Sequence, residues 1–337
     1  MTVQSTILIT GGAGFIGRHV VEYFVLNYPN YQCVILDSLT YSGHLRNLAS
    51  IAQQPNFTFI QADINDFKTI QCIIHDYQIQ GVIHLAAETH VDNSIQSPIP
   101  FVQTNVLGTA NLLEACRNYL ENCPTPNFKY LQISTDEVFG SINKPLSFDE
   151  QSIYRPRSPY SASKASADHV VMSYHHTYQF PAIISYTTNN YGPYQHPEKL
   201  IPHTIANALV KKPIPIYGTG QQIRNWIAVP DHVRAIDLIF HHGIIGETYA
   251  ISAHNEYSNL DVVTKICLYM EKELGCPAHT LISLITHVKD RPGHDFRYAL
   301  NSTKIEETLH WQPLFAFDDY LIYTINWYIN HPEWLQQ

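Results

Sequence analysis

The chain is poor in charge. Only 15% of its 337 residues are Asp, Glu, Lys or Arg, and acids outnumber bases by 29 to 20. With a formal charge of −9 and no run of Lys or Arg, it lacks the clustered cations that hold a nucleic-acid backbone. Any phosphate it binds must be held locally, by a few Arg and by backbone amides. Long apolar runs are also missing: none approaches the roughly 18 residues of a membrane span. No basic residue precedes Arg18, and the chain turns at once into a strand pattern, so no signal peptide is expected. Cys33, Cys72, Cys116, Cys123, Cys267 and Cys276 contain no Cys-x-x-Cys pair and are expected to be reduced thiols in a cytoplasmic protein. The 19 His include no His-Glu-x-x-His, and no metal site is expected. Apolar residues, by contrast, reach 45% and aromatics 12%, enough to exclude disorder and to fill the core of one large α/β domain with an appended lobe.

The first half alternates strand and helix. Short continuous apolar runs at Thr6–Thr10, Gln32–Asp37, Phe57–Asp63, Gly81–Ala87, Lys129–Thr135 and Pro181–Thr187 predict strands buried on both faces. Helical patterns fall between them, at Gly14–Leu26, Phe67–Tyr77, Ile99–Tyr119 and Pro159–Tyr178. This rhythm predicts a Rossmann-like, doubly wound parallel sheet. After Asn189 the rhythm changes to short strands mixed with helices. We therefore expect a dinucleotide-binding domain over residues 1–189 and a smaller α/β lobe over 190–337, some segments of which return to the main sheet.

Strand one runs into Gly11-Gly12-Ala13-Gly14-Phe15-Ile16-Gly17, a variant of the dinucleotide fingerprint. Gly11 serves the tight turn, Gly14 the approach of a pyrophosphate and Gly17 the close packing of helix on strand. Asp37 ends strand two, where a carboxylate accepts hydrogen bonds from a ribose and repels a 2′-phosphate; this favours NAD over NADP. Asp63 and Ile64 are placed to flank the adenine. Tyr160 and Lys164 lie four apart on one helix face, where the ammonium, together with a nicotinamide cation, would lower the phenol for proton abstraction. Asp136 and Glu137 follow the strand that ends at Thr135, so they emerge at the carboxyl edge of the sheet, suited to a general acid and a general base.

The segments TGGAGFIG, LAAETHVDNS, STDEVFG, YSASK, NNYGPYQHPEKLIP and VKDRPGHDFRY resemble the extended short-chain dehydrogenase/reductases and, within them, the dTDP-glucose 4,6-dehydratases. The resemblance runs from about Ile7 to Trp327, and its most specific element is the Thr-Asp-Glu triplet. It implies catalytic roles for Thr135, Asp136, Glu137, Tyr160 and Lys164, with Ala86 and Ala87 near the cofactor and Glu88 near the sugar. A nucleotide-sugar diphosphate would be met by Lys199, Arg224 and Arg291. Asn190, Glu198, Leu200, Pro215, Tyr217 and Asn259 would line the nucleotide pocket, with His294 and Tyr298 beside them. It further implies a homodimer in which the helices near Ile99–Tyr119 and Pro159–Tyr178 form a four-helix bundle. Asn93, Tyr186, Asn225 and Ala228 depart from the family's usual residues. Alternatives are the same dehydration on UDP-glucose, a nucleotide-sugar 4-epimerase, which would not need Asp136-Glu137, and a catalytically idle NAD-binding regulator.

Asp37 generates a direct expectation. Asp37→Ala should weaken NAD binding and relax discrimination against NADP in calorimetric titration; unchanged NAD affinity would place the ribose contact elsewhere.

Overall fold

The computed structural model describes residues 5–336. Its first half runs β1 (Ser5–Thr10), α1 (Phe15–Asn27), β2 (Tyr31–Asp37), β3 (Phe57–Gln61), α2 (Phe67–Asp76), β4 (Gly81–His84), α3 (Val91–Gln96), α4 (Ile99–Phe101), α5 (Thr109–Asn122), β5 (Lys129–Thr135), α6 (Pro159–Tyr178) and β6 (Ala182–Thr187). The second half runs β7 (Asn189–Tyr191), α7 (Leu200–Leu209), β8 (Ile214–Tyr217), β9 (Ile223–Ala228), α8 (Val229–His242), β10 (Thr248–Ile251), β11 (Asn255–Ser258), α9 (Asn259–Glu273), β12 (Ile285–Val288), α10 (Thr303–Leu309) and α11 (Phe317–Asn330).

Seven parallel strands form the main sheet in the order β10-β6-β5-β4-β1-β2-β3. This is the expected doubly wound class. Alternate residues of each strand serve opposite faces. Ile7 and Ile9 join Val20, Phe24, Ile236 and Phe240 from α1 and α8 on one side. Leu8 joins Ile70, Leu112 and Val171 from α2, α5 and α6 on the other. Strand order reverses between β1 and β4, which opens a crevice beyond their carboxyl ends, the usual ligand site of such sheets. The lobe has its own core, built on Ile205, Val262, Ile266 and Tyr320. Its sheet, β11-β9-β7, escaped the sequence reading because these strands are only three to six residues long and two of them are largely polar.

The helix expected over Ile99–Tyr119 runs unbroken from Ile99 to Asn122, but it widens to a π-helix over Val102–Gly108, between α4 and α5. Within it Asn105 turns inward, and its amide exchanges two hydrogen bonds with the backbone of Glu88 and donates a third to Ser163 Oγ. β3 stops at Gln61 and β4 at His84, so Asp63, Ala86 and Ala87 stand in loops beyond the sheet.

Candidate functional site

The glycine loop sits where β1 and β4 diverge. A Cβ on Gly11 (φ +69°) would lie 2.6 Å from the Ala86 backbone nitrogen, and one on Gly17 would lie 2.0 Å from the Gly11 carbonyl oxygen. Both positions are closed to any larger residue. A Cβ on Gly14 would meet only the Gly11 oxygen, at 3.4 Å, and otherwise faces open space. Gly14 caps α1 without a side chain, and no acid occupies the helix's first turn, so its amides are directed at a free anion position. Phe15 and Ile16 pack on the core behind this turn. Asp37 is buried, and its two oxygens accept from the Ala13 and Leu39 amides at 2.9 and 2.8 Å, leaving one lone-pair side of each oxygen for a ribose. Asp63 is exposed and folded onto Asn65, while Ile64 is buried against Gly108. These groups fit a dinucleotide.

The acids that follow β5 lie in unlike surroundings. Thr135 caps the short helix Asp136–Phe139 by accepting from the Glu137 amide. Asp136 is 2% exposed, and its Oδ2 has no hydrogen-bond partner among the described residues. Burial, followed by the neighbouring Glu137, pushes its carboxyl up to about 8, against the pull of Arg224. Glu137 is only partly buried. Burial raises it as well, but Arg291, Arg224 and Lys199 all oppose the rise. Asp136 is thus suited to carry a proton at neutral pH, while three positive side chains act on Glu137 against the same rise.

Tyr160 and Lys164 face this pair from α6. The helix opens on a Ser158–Ser161 capping box with Pro159 in the first turn, and small residues around Tyr160 let it pack close to β5. Lys164 Nζ donates to the Ile133 carbonyl at 2.7 Å. The expected lowering of the phenol is not produced by the chain alone. Burial, then the Glu137 and Asp136 charges, raise Tyr160 well above 10, opposed by a hydrogen bond with Thr135. Lys164 donates one of its three ammonium protons to a backbone carbonyl, and a cation at the nicotinamide position is what would turn the balance.

Most of the substrate candidates converge on the same face. Arg224 is buried and has no carboxylate partner among the described residues: it donates to the Ile223, Asp295 and Phe296 carbonyls and stacks over Tyr298 at 4.2 Å. A buried guanidinium so held is a ready anion site. Arg291 approaches Asp92 at 3.8 Å, and Tyr217 donates to the same carboxylate at 3.1 Å. Lys199 donates to the Thr89 carbonyl and lies 3.4 Å from Glu198, whose other oxygen faces His90 and His196. Glu88 is raised by burial and by Glu198. Pro215 and Tyr217 share the exposed face of β8, and Leu200 and Asn259 open α7 and α9. His294 is paired with Asp290, and burial, then Arg291, lowers it to about 4. Asn190, expected to line the nucleotide pocket, follows β6 at the start of β7. Its amide is spent on Thr187, Thr188 and His232.

Several residues that shape the site were not read from the sequence. Asp92 couples α3 to the Arg291 loop. Ser134 donates to Asp168 at 2.5 Å behind the acid pair. Asp295 holds Tyr298 beneath Arg224. Only Asp168 had a legible signal, four residues beyond Lys164 on the same helix face.

A parallel sheet of this order, with a glycine loop at its switch point and a Tyr–Lys helix beside β5, defines a short-chain dehydrogenase/reductase of the extended type. A family model described as GDP-mannose 4,6 dehydratase matches residues 8–323. The chain is 47% identical over 342 residues to the dTDP-glucose 4,6-dehydratase of Salmonella typhimurium, covering 98% of this chain and 94% of that one. Its structure is similar to that of the dTDP-glucose 4,6-dehydratase of Bacillus anthracis in complex with NAD, with a TM-score of 0.87, 42% identity and 98% of each chain covered. It is also similar to that of the Streptomyces venezuelae enzyme with NAD bound, with a TM-score of 0.90, 38% identity and coverage of 98% of this chain and 99% of that one. The chain belongs to the dTDP-glucose 4,6-dehydratase family.

The raised Asp136 has a consequence for stability. The unfolded carboxyl loses its proton near about 4, whereas the folded one keeps it to about 8. The unfolded state therefore binds fewer protons across this window, and stability falls as pH rises through it. Asp136→Asn escapes that loss. Its thermal midpoint should exceed that of the unaltered chain by a margin that grows from pH 5 to pH 8. A pH-independent difference would contradict the assignment.

Proposed function

We propose that this chain dehydrates dTDP-glucose to dTDP-4-keto-6-deoxy-glucose with NAD as its resident cofactor. The carrying observation is the pair of adjacent acids after β5, opposite Tyr160, of which Asp136 is buried with an unpartnered oxygen and Glu137 is partly exposed among Arg291, Arg224 and Lys199. An epimerase or a passive NAD-binding protein has no use for such a pair.

Residues 1–189 hold the cofactor, and residues 190–337 supply the nucleotide-sugar pocket. The glycine loop and the start of α1 receive the pyrophosphate, and Asp37 the ribose. Arg224, Arg291 and Lys199 receive the substrate diphosphate, as positive groups at an anion position. Held by the glycine loop and Asp37, NAD would supply the hydride acceptor for C4 and the hydride donor for C6. Tyr160 Oη takes the proton of the C4 hydroxyl, with Thr135 hydrogen-bonded to the C4 oxygen and Lys164 beside the pair. The C4 ketone acidifies the C5 proton, which Glu137 removes. Asp136 gives its proton to the departing C6 hydroxyl, which leaves as water. Glu137 then returns a proton to C5. The two carboxyls can divide this work because their environments separate their proton affinities.

The expected homodimer is part of the same reading. Ile99, Val102 and Leu107 are 63%, 49% and 53% exposed along the stretch from α4 to α5, and Tyr178 is half exposed at the end of α6. Large apolar side chains on two neighbouring helices support burial against the same helices of a second copy. The cytoplasm is the proposed location, in keeping with six free cysteines. Among the described residues no helix is long and apolar enough to cross a membrane.

Two measurements test this reading. Asp136→Asn keeps size but cannot supply the proton, so formation of the 4-keto product should fall by about 10²–10⁴-fold with KM for dTDP-glucose nearly unchanged; a turnover equal to that of the unaltered enzyme, or faster reaction with UDP-glucose, would refute it. Sedimentation at micromolar concentration should give a dimer, and Val102→Glu should shift it to monomer. A monomer without the substitution would end the bundle proposal.

A further inference from the structure

The reaction as read leaves Asp168, a buried carboxylate of α6, without a role. Asp168 is 1% exposed and lies one turn beyond Lys164 and two beyond Tyr160 on the same face of α6. Its Oδ2 accepts from Ser134 Oγ at 2.5 Å and from Tyr154 Oη at 3.3 Å, and Tyr154 in turn pairs with Tyr186. Its Oδ1 has no partner among the described residues. A carboxylate left half-satisfied in a core costs stability unless a charge compensates it.

The groups around it are mostly neutral. Tyr130 and Ser134 face it from β5, Tyr154 from the segment before α6, Tyr186 from β6 and Tyr160 from α6 itself. Lys164 is the cation that acts on Asp168, and Asp168 is the carboxylate that acts on Lys164. The other ionisable side chain near Lys164 is His84 on β4. It is fully buried between the Thr10 and Thr109 hydroxyls and lowered to about 3 by burial and by Lys164, so it adds no charge at neutral pH. Burial pushes the Asp168 carboxyl up to about 7 against the pull of Lys164, so above that pH two buried charges act on each other behind the phenol without a direct ion pair, and both are tied to the last residues of β5: Lys164 to the Ile133 carbonyl and Asp168 to the Ser134 hydroxyl. The next residues along that strand are Thr135, Asp136 and Glu137.

We propose that Asp168 is a positioning residue of the catalytic pair: its buried carboxylate is the counter-charge that holds Lys164 as an ammonium and, through Ser134, ties the end of β5 to α6. It touches neither substrate nor cofactor. Burial alone drives Lys164 toward the neutral amine, which could still donate to the Ile133 carbonyl, though more weakly, but would offer no positive charge to support proton abstraction by Tyr160. Tyr186, one of the departures from the usual family pattern, belongs to this network as the partner of Tyr154. The proposal rests on the reading of Tyr160 and Lys164 as catalytic, but its decisive test does not.

The test is a double-substitution cycle read by thermal unfolding in the absence of substrate. Asp168→Asn keeps shape and can still accept from Ser134, but removes the charge. In the otherwise unaltered chain it should lower the midpoint by a few degrees, because Lys164 is left buried without its counter-charge. In a Lys164→Met background, where Asp168 is the uncompensated ion, the same change should raise the midpoint. The inversion of sign is the signature of a charge pair; an equal loss in both backgrounds would mean that Asp168 is only a hydrogen-bond acceptor and would overturn the proposal. Should Lys164→Met alone yield no folded protein, recovery of folded protein on adding Asp168→Asn supports the pair, and failure to recover it refutes the pair. With dTDP-glucose, Asp168→Asn should lower kcat by roughly tenfold for each unit by which the Lys164 pKa falls below the assay pH, at unchanged KM. A cycle that inverts while kcat stays unchanged would separate the charge pair from catalysis and remove the positioning role. An unaltered enzyme inactive on dTDP-glucose would instead refute the dehydratase reading and leave the cycle intact.

Discussion

Ionisable groups buried where β5 meets α6 are the constraint on which the site depends. A charge taken out of water costs several kcal/mol unless another group answers it, and here several such groups share one small volume. Arg224 is answered by carbonyl oxygens and the Tyr298 ring, Lys164 by the Ile133 carbonyl. Asp136 is answered least and keeps its proton to about 8. A carboxyl that keeps its proton near neutral pH is therefore stored in the fold, and thermal stability there is given up for it.

The surrounding architecture serves that volume. Parallel pairing carries β1, β4, β5 and β6 to a common edge, so the glycine loop, Ala86, Thr135 and Thr187 arrive there together. Helix α6 is small-sided at its start and can lie close to β5, which brings the phenol to the acids. The lobe adds the positive side chains. Asp92 on α3 engages both Arg291 and Tyr217, so the two halves of the chain meet through one carboxylate at the mouth of the site.

The layout of the nucleotide-binding half was legible from local sequence because its signals are local. Strands buried on both faces read as apolar runs, and a tight glycine turn reads as its spacing. Asp136 and Glu137 could be placed at the sheet edge because the strand before them ends in a recognisable way. The limits of β3 and β4 were overestimated because the apolar pattern continues past the last ladder hydrogen bond. The π-helical stretch left no pattern of its own, and the bonds Asn105 makes within it reach Glu88 and Ser163, 17 and 58 positions away along the chain.

By itself the sequence determined the sheet class, the dinucleotide loop, the adjacent acids and the Tyr–Lys helix, each an outcome of neighbouring residues. Tertiary structure alone decided which acid keeps its proton, that Tyr160 is raised rather than lowered by the chain's own charges, and that Asn190 is already spent on its neighbours. It also decided that Asp168 stands behind Lys164. All of these depend on burial and on charges distant along the chain. The proton affinity of a carboxyl is set by everything that replaces water around it, and no short stretch of sequence specifies that replacement.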